Sequence, residues 1–155
     1  MPVGDYCQRD VRTIDATDTL RSAAKRMAEE GVGSLVVLQG RQPRGILTDR
    51  DVALRVLREG LDPDATPVLD AIGGDPIVIH ETTPLRAAAA LMRRCAIRRV
   101  PVVDARESLV GVITSDDLLR LIAAELSGIA GAVAAQAPAG TAGAAPEPGT
   151  GPEVE

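Results

Sequence analysis

Aromatic side chains are almost absent from this chain of 155 residues. Tyr6 is the only aromatic residue, and there is no phenylalanine or tryptophan. Proteins that bind single-stranded nucleic acid stack the bases on aromatic side chains, so the composition disfavours that function. The formal net charge of -5 also disfavours it, because contact with a phosphate backbone needs a basic surface. We therefore expect no nucleic-acid partner.

Cysteine and histidine are equally scarce. The chain has two cysteines, Cys7 and Cys95, and one histidine, His80. These residues are too few for a structural zinc site or a disulfide framework. A catalytic triad would have to rest on His80 alone, and we expect that residue to lie exposed at a strand end. The sequence therefore predicts a protein that is not an enzyme, with no catalytic residues and no metal site.

Long apolar runs are also missing. No stretch approaches the length expected of a membrane-spanning helix, and the first ten residues lack the charged and apolar regions of a signal peptide. The sequence therefore predicts a cytoplasmic protein with no membrane partner. Apolar residues make up 45% and charged residues 25% of the chain, which are typical values for a folded domain.

The composition changes near Ser127. Residues 128–155 hold nine alanines, six glycines and four prolines, with few large apolar side chains. Such a segment buries too little surface to offset its conformational entropy. We therefore predict a disordered tail over residues 128–155, in which residues 128–136 are the part able to continue a preceding helix.

The rest of the chain contains two similar halves. Residues 14–27 and 79–92 share seven identical positions at a spacing of 65 residues. With one inserted residue, GILTDRDV (residues 45–52) aligns with GVITSDDL (residues 111–118). A period this long that occurs only twice does not fit a solenoid. The sequence therefore predicts a duplicated half-domain, with a first domain over residues 1–62 and a second over residues 63–127.

Each half shows the same order of periodicities. A short β-branched run precedes a helix with apolar residues at i, i+3, i+4 and i+7, which in the first half are Leu20, Ala23, Ala24 and Met27. Two apolar runs, interpreted as strands, and a second helix complete the half. We expect Thr17 or Asp18 to cap the first helix, and Thr83, before Pro84, to cap its counterpart. The predicted order is β-α-β-β-α, and the predicted fold class is α+β.

The junction between the third strand and the last helix carries the most specific motif. It reads G-h-h-T-x-x-D, where h is apolar, at residues 45–51 and again at residues 111–117. The second half also contains the run IRRVPVVD at residues 97–104, ahead of this junction. On these residues the chain resembles the cystathionine β-synthase (CBS) domain family, as a tandem pair over roughly residues 3–126. It is most similar to stand-alone two-domain proteins of the actinobacterial hypoxic response protein type.

The resemblance implies a fold and a set of ligands. The two repeats would pack about a pseudo-two-fold axis and form two clefts between their sheets. Family members bind adenosine derivatives such as AMP, ADP, ATP or S-adenosylmethionine as regulatory ligands, require no cofactor, and commonly form homodimers. The implied ligand-binding residues are Thr48, Arg50, Asp51, Arg98, Arg99, Thr114 and Asp117. In that set the aspartates would hold the ribose hydroxyls, and the threonines and arginines would approach phosphate.

The same residues support a second interpretation. A threonine followed three residues later by an acid is a variant of the capping box, so both motifs can be purely structural helix caps. Arg98 and Arg99 can equally be solvated, or paired with acids on the other half. The first half has Gly33 and Ser34 at these positions. If only one cleft binds ligand, the cleft that Arg98 and Arg99 reach is therefore the better candidate.

The resemblance predicts a regulatory module that binds an adenosine-containing ligand between the repeats and signals to an effector protein in trans. The ligand would shift the population between two arrangements of the halves or of the dimer. Two alternatives remain open. One is a ligand-free module for dimerisation or protein interaction, which an exposed apolar patch would favour. The other is a nucleotide hydrolase in which Asp116 and Asp117 hold Mg²⁺ through a bound phosphate.

Overall fold

The structure is a computed structural model that describes residues 1–136. The remainder of the predicted tail, residues 137–155, lies outside the described residues. The chain divides into one compact unit over residues 1–121 and a second unit that begins at Ile122. Both sequence repeats lie within the first unit, apart from the end of the last helix.

The two halves have the same architecture. The first half comprises β1 (Thr13–Asp15), α1 (Leu20–Glu30), β2 (Ser34–Gln39), β3 (Gln42–Thr48) and α2 (Asp49–Ala53), which continues as a π-helical turn over Leu54–Arg58. The second comprises α3 (Val68–Ala71), β4 (Ile79–His80), α4 (Leu85–Cys95), β5 (Arg99–Val103), β6 (Leu109–Thr114) and α5 (Ser115–Gln136). In each three-stranded sheet the middle strand pairs parallel with the first and antiparallel with the third. The predicted α+β class and the β-α-β-β-α order are confirmed.

The cap of α1 differs from the prediction. Thr19 is the N-cap, and its side chain accepts a hydrogen bond from the backbone N–H of Ser22. The predicted cap at Thr17 or Asp18 is therefore wrong. The physical reason is a competing local bond, because the hydroxyl of Thr17 donates to the Asp15 carboxylate at 2.6 Å.

The cap of α4 also differs. Pro84 occupies the N-cap position in an extended conformation, with no side-chain hydrogen bond to the helix, so the prediction of Thr83 as the cap is wrong. The backbone N–H of Thr83 donates to His80 O at 2.9 Å, which places Thr83 in the turn before the helix. Helix α1 ends at Gly31, which adopts the left-handed conformation at φ 64°.

The hydrophobic core of each half includes one segment that belongs to the other half in the sequence. Val3, in a 3-10 turn near the N-terminus, is fully buried in the core of the second half, together with Val100 and Ile113. Helix α3 packs in the same way into the core of the first half, where Val68 contacts a cluster that includes Leu20. The units of packing therefore differ from the units of the sequence repeat, and the two halves are interlocked.

The motif glycines permit this packing. A Cβ atom at Gly111 would lie 2.6 Å from the Sγ of Cys7 and 2.8 Å from the backbone O of Gln8. A Cβ atom at Gly45 would lie 3.0 Å from the Cδ1 of Ile72. Gln8 also pairs with Val112 through two backbone hydrogen bonds of 2.9 Å. The glycine of G-h-h-T-x-x-D is thus the point where the segment leading into the opposite half crosses the strand.

Helix α5 extends into the predicted tail. It continues to Gln136, so residues 128–136, the part of that tail able to continue a preceding helix, are helical here. Alanine has the highest intrinsic helix propensity, and this stretch is alanine-rich. Every residue from Ile122 to Ala135 is exposed.

Within the described part of the chain, α5 is also the helix that is long and apolar enough to cross a membrane by length and composition, over Ser115–Ala135. The expectation that no stretch approaches that length is therefore wrong. The segment carries charged residues at both its first turn and its middle, and a single helix of this kind is a weak indication of a membrane span.

Candidate functional site

Two clefts open between the two sheets of the first unit. The first cleft, of about 300 Å³, is lined by residues 44–46 of β3, by Asp51 and Arg55, by residues 71–73 and 75–77, and by Ile97, Arg99 and Pro101. The second cleft, of about 280 Å³, is lined by residues 8–12, residues 32–36 and the β6 residues Val112 and Thr114. Ile46 and Arg99 contribute to both clefts. Volumes of this size lie at the lower end of the range for small-molecule sites.

The clefts are equivalent under the sequence repeat. Residues 73–77 line the first cleft, and residues 8–12, which are 65 positions earlier, line the second. Each cleft combines the third strand of one half with the second strand of the other. The fold therefore gives both G-h-h-T-x-x-D motifs a place beside a cleft, and the local contacts decide what each motif can bind.

Asp51 forms a capping box with Thr48. The backbone N–H and the hydroxyl of Thr48 donate to Asp51 Oδ2 at 2.9 and 2.8 Å, and the backbone N–H of Asp51 donates to Thr48 Oγ1 at 3.1 Å. The two bonds that the carboxylate accepts both end on Oδ2, and the third bond is accepted by the threonine oxygen. Among the described residues, Oδ1 of Asp51 has no hydrogen-bond donor, and Asp51 lies in the wall of the first cleft. The cap therefore leaves one acceptor oxygen of Asp51 for a ligand.

Asp117 forms the same box with Thr114 and has an additional partner. The backbone N–H and hydroxyl of Thr114 donate to Asp117 Oδ2 at 2.9 and 2.6 Å, and the Nε2 of Gln8 donates to Oδ1 at 2.9 Å. Both oxygens of this carboxylate are thus engaged. Partial burial raises the pKa of Asp117, but the hydrogen bonds from Thr114 and Gln8 and the charge of Arg120 outweigh it, so the net shift is downward.

The predicted arginines are placed differently from one another. Arg99 is exposed and lines both clefts. Arg98 lines neither cleft but a depression beside the second cleft, which shares Gln8, Arg99 and Thr114 with that cleft. Across residues 1–136, neither Arg98 nor Arg99 lies within 4.0 Å of an acidic group, so the alternative of an ion pair with the other half is not seen in this structure.

The structure does not bring all seven predicted residues together. Asp51 and Arg99 share the first cleft, while Thr114 and Arg99 share the second. Arg50 is exposed on the first turn of α2 and is not part of either cleft wall. Thr48 contributes indirectly, by orienting the Asp51 carboxylate.

Two arginines of the first cleft were missed by the sequence analysis. Arg55 donates through Nε to Ala71 O at 3.0 Å and through Nη1 to the Glu59 carboxylate at 2.8 and 2.9 Å. Arg44 also lies in the wall, and its buried Nε has no hydrogen-bond partner in the described chain. The available signal was an asymmetry of the repeat, because Arg44 precedes the motif glycine where the second half has Val110.

The cysteines and the histidine lie outside the clefts. Cys7 and Cys95 are half-buried free thiols, and burial raises the pKa of the Cys7 thiol. His80 is exposed, with its Nε2 3.3 Å from Glu107 Oε1. Over residues 1–136, no group of three or more histidine, cysteine or acidic residues is placed to hold a metal ion.

The family model of the CBS domain matches the chain twice, over residues 3–58 and 68–124. The chain belongs to the CBS domain family. Hypoxic response protein 1 of Mycobacterium tuberculosis is 30% identical over 118 residues, which are 75% of this chain and 81% of that protein. The crystal structure of Hypoxic Response Protein I with two coordinated zinc ions matches with a TM-score of 0.69 at 27% identity, covering 77% of this chain and 98% of that one.

Two further CBS structures contain ligands. The CBS domain protein PAE2072 from Pyrobaculum aerophilum, complexed with AMP, is 32% identical with a TM-score of 0.69 and covers 83% of this chain and 99% of that one. The CBS domain pair of protein MJ0100, in complex with 5'-methylthioadenosine and S-adenosyl-L-methionine, is 26% identical with a TM-score of 0.67 and covers 79% and 99%. The chain spans from 17% to 81% of the length of the curated relatives that it matches.

Proposed function

We propose that this CBS pair is a regulatory module that binds an adenosine-containing ligand in the first cleft. The observation that carries the proposal is Oδ1 of Asp51, an acceptor without a donor in the wall of that cleft. A carboxylate oxygen at this position suits the hydroxyl groups of a ribose. The AMP complex of PAE2072 and the S-adenosylmethionine complex of MJ0100 support this class of ligand.

The walls of the first cleft provide for the other parts of such a ligand. Ile46, Ile72 and Ile77 offer apolar contact to a purine base. Arg99 supplies a guanidinium that can donate two hydrogen bonds to a phosphate, as in AMP, ADP or ATP. S-adenosylmethionine has no phosphate and would depend on the ribose and base contacts.

The second cleft is the weaker candidate in this structure. A ribose at Asp117 would have to displace the hydrogen bond from Gln8 at 2.9 Å, which already uses Oδ1. The cleft also has Ser34 at the repeat position that Arg99 occupies in the first cleft, although Arg99 reaches both clefts. We therefore propose that the first cleft fills before the second, with Thr114 and Asp117 contributing only at higher ligand concentration.

Thermal unfolding with AMP, ADP, ATP and S-adenosylmethionine tests the proposal. A ligand at 100 times its dissociation constant adds about 2.7 kcal/mol to the free energy of unfolding, which raises the midpoint by several degrees in a domain of this size. We expect a rise for at least one of these ligands and its loss in Asp51→Asn. Unchanged midpoints across the whole panel would contradict the proposal.

The output of the module is also part of the proposal. We infer that the protein acts in the cytoplasm without catalysing a reaction, and that it passes the ligand signal to an effector protein in trans. The ligand would do so by binding one arrangement of the halves more tightly than another. The curated matches include an inosine-5'-monophosphate dehydrogenase of Korarchaeum cryptofilum, of which this chain spans 22%, so the likeness extends only to a CBS pair.

A homodimeric interaction module is the second candidate function, and helix α5 favours it. Its exposed apolar residues recur at alternating spacings of three and four, as in the a and d positions of a coiled coil: Leu119, Ile122, Leu126, Ile129 and Val133. A stripe with this spacing is the kind of seam along which a second copy of the same helix can pack. We propose that two copies of the chain pair along this stripe.

Sedimentation velocity over a range of protein concentrations tests the pairing. Ile129→Glu places a charge on the stripe and is expected to shift the protein to monomer. Ala124→Glu adds the same charge on the opposite face of the helix and is the matched control, because it should leave the dimer intact. A wild-type protein that sediments as a monomer at every concentration would contradict this candidate.

A further inference from the structure

Arg44, in the wall of the first cleft, is a charged residue that the described part of the chain leaves incompletely bonded. Its Nε is buried and, across the described chain, has no hydrogen-bond partner. A buried donor without an acceptor costs free energy, so a native structure usually gives it a partner. The two other arginines in the wall differ from it, because Arg55 is bonded to Ala71 and Glu59 and Arg99 is exposed.

The sequence repeat shows that the fold does not need an arginine at this position. The equivalent residue of the second half is Val110, which stands at the same place before the motif glycine of β6. A β-branched residue is a favourable choice for a strand, and the second half folds with it. Arg44 is therefore a departure from the repeat that packing alone does not require.

The position of Arg44 along β3 gives it a distinct part of the cleft. Four residues of extended chain separate Arg44 from Thr48, which is about 13 Å along the strand. Asp51 follows Thr48 in the first turn of α2. Arg44 is the extra residue of a bulge opposite Val37 and Leu38, and it lines the first cleft together with Ile46. A nucleotide whose ribose contacts Asp51 and whose base covers Ile46 would therefore direct the edge of its base towards Arg44.

Acidic residues near Arg44 do not neutralise it. Asp75 lies in the same cleft wall, and Glu107 lines a small hollow beside Arg44 and Pro76. Neither carboxylate is within 4.0 Å of the guanidinium in the described chain, and Glu107 faces His80 instead. Because no hydrogen bond holds Nε in place, the side chain can turn towards a ligand without losing a protein contact.

We propose that Arg44 reads the edge of the base, so that the first cleft binds a 6-oxopurine nucleotide more tightly than AMP. Guanine presents two adjacent acceptors, O6 and N7, which match the two-pronged donor of an arginine. Adenine has N7 next to the N6 amino group, which is a donor and leaves one arginine N–H unpaired. This inference rests on the proposed function for the position of the ribose at Asp51, and it replaces adenine by a 6-oxopurine as the preferred base at that site.

The test compares the dissociation constants of GMP, IMP and AMP by titration calorimetry. A good bidentate pair discriminates by about 1–3 kcal/mol, so we expect GMP and IMP to bind about tenfold more tightly than AMP. In Arg44→Val, which carries the residue of the equivalent strand, that preference should disappear while the unfolding midpoint stays close to that of the wild type. Arg44→Lys keeps the charge without the fork and should also lose the preference.

Arg106→Ala is the matched control, because it removes one arginine charge from an exposed turn outside the clefts and should keep the preference. AMP binding at least as tightly as GMP to the wild-type protein would overturn the inference and leave the proposed function intact. The same holds if Arg44→Val retains the wild-type preference. Absence of binding by all three nucleotides would overturn the inference, and the thermal-unfolding panel of AMP, ADP, ATP and S-adenosylmethionine decides separately whether the proposed function stands.

Discussion

At the scale of single residues, the two motif aspartates show that one distant contact decides whether a capping carboxylate has an oxygen left for a ligand. Asp51 and Asp117 make the same three capping hydrogen bonds, yet only Asp117 has its second oxygen occupied, by Gln8. Gln8 is 109 positions away in the sequence. The capping interpretation and the ribose-binding interpretation are therefore compatible at Asp51, because each uses a different oxygen of the carboxylate.

The substitution Asp117→Asn is expected to lower stability by about 1 kcal/mol at pH 7, which is typical for the loss of a cap. Because the pKa of Asp117 is lowered by folding, its contribution is complete above the ordinary value of 3.8 and is lost as the pH falls through the folded pKa. The difference in unfolding free energy between wild type and variant should therefore shrink below about pH 4, as measured by urea unfolding. Asp116→Asn, in the same turn but exposed, is the control. A difference that grows towards low pH would refute this account.

At the scale of secondary-structure elements, the motif glycines explain why the repeats interlock. The Cβ atom of Gly111→Ala would meet a sulfur at 2.6 Å and a backbone oxygen at 2.8 Å, whereas that of Gly45→Ala would meet only the end of the Ile72 side chain at 3.0 Å. A flexible methyl group can move, but the backbone of Gln8 is held to Val112 by two hydrogen bonds.

We therefore expect Gly111→Ala to be destabilising by about 1–3 kcal/mol, the usual cost of overpacking, and Gly45→Ala to cost clearly less. Chemical unfolding of the two variants beside the wild type measures this difference. Equal losses in the two variants would show that the close approach at Cys7 and Gln8 does not limit the packing.

The element order was predictable because each half alternates clear periodicities, and the duplication provided each prediction twice. The helix caps were not, because the competing bond from Thr17 to Asp15 depends on the local turn geometry. The continuation of helix α5 over residues 128–136 was left open because the tail as a whole is rich in glycine and proline, although alanine favours a helix. In the site, the sequence located Asp51 and Arg99, while Arg44 lay just outside the motif and Gln8 was too distant in the chain to be connected with Asp117.

At the scale of the whole molecule, each cleft of the first unit is lined by a segment that is continuous with residues packed in a hydrophobic core. The segment that lines the second cleft at residues 8–12 follows directly after Val3 and Tyr6, which pack into the core of the second half. Residues 71–77 connect the first cleft to the core of the first half in the same way, through Ala71 and Ile72. A ligand in either cleft therefore touches a segment that belongs to the opposite repeat, which is a physical route from binding to a change between the halves.

Titration calorimetry of AMP with a matched pair of variants tests the central claim most directly. Asp51→Asn and Asp117→Asn each remove one capping carboxylate, and Asp117→Asn also alters the contact with Gln8, so the unfolding midpoint of each variant is measured beside its binding. The account predicts one tight site per chain in the wild type, retained in Asp117→Asn and lost in Asp51→Asn. Binding that survives in Asp51→Asn and disappears in Asp117→Asn, or no binding heat in the wild type, would contradict it.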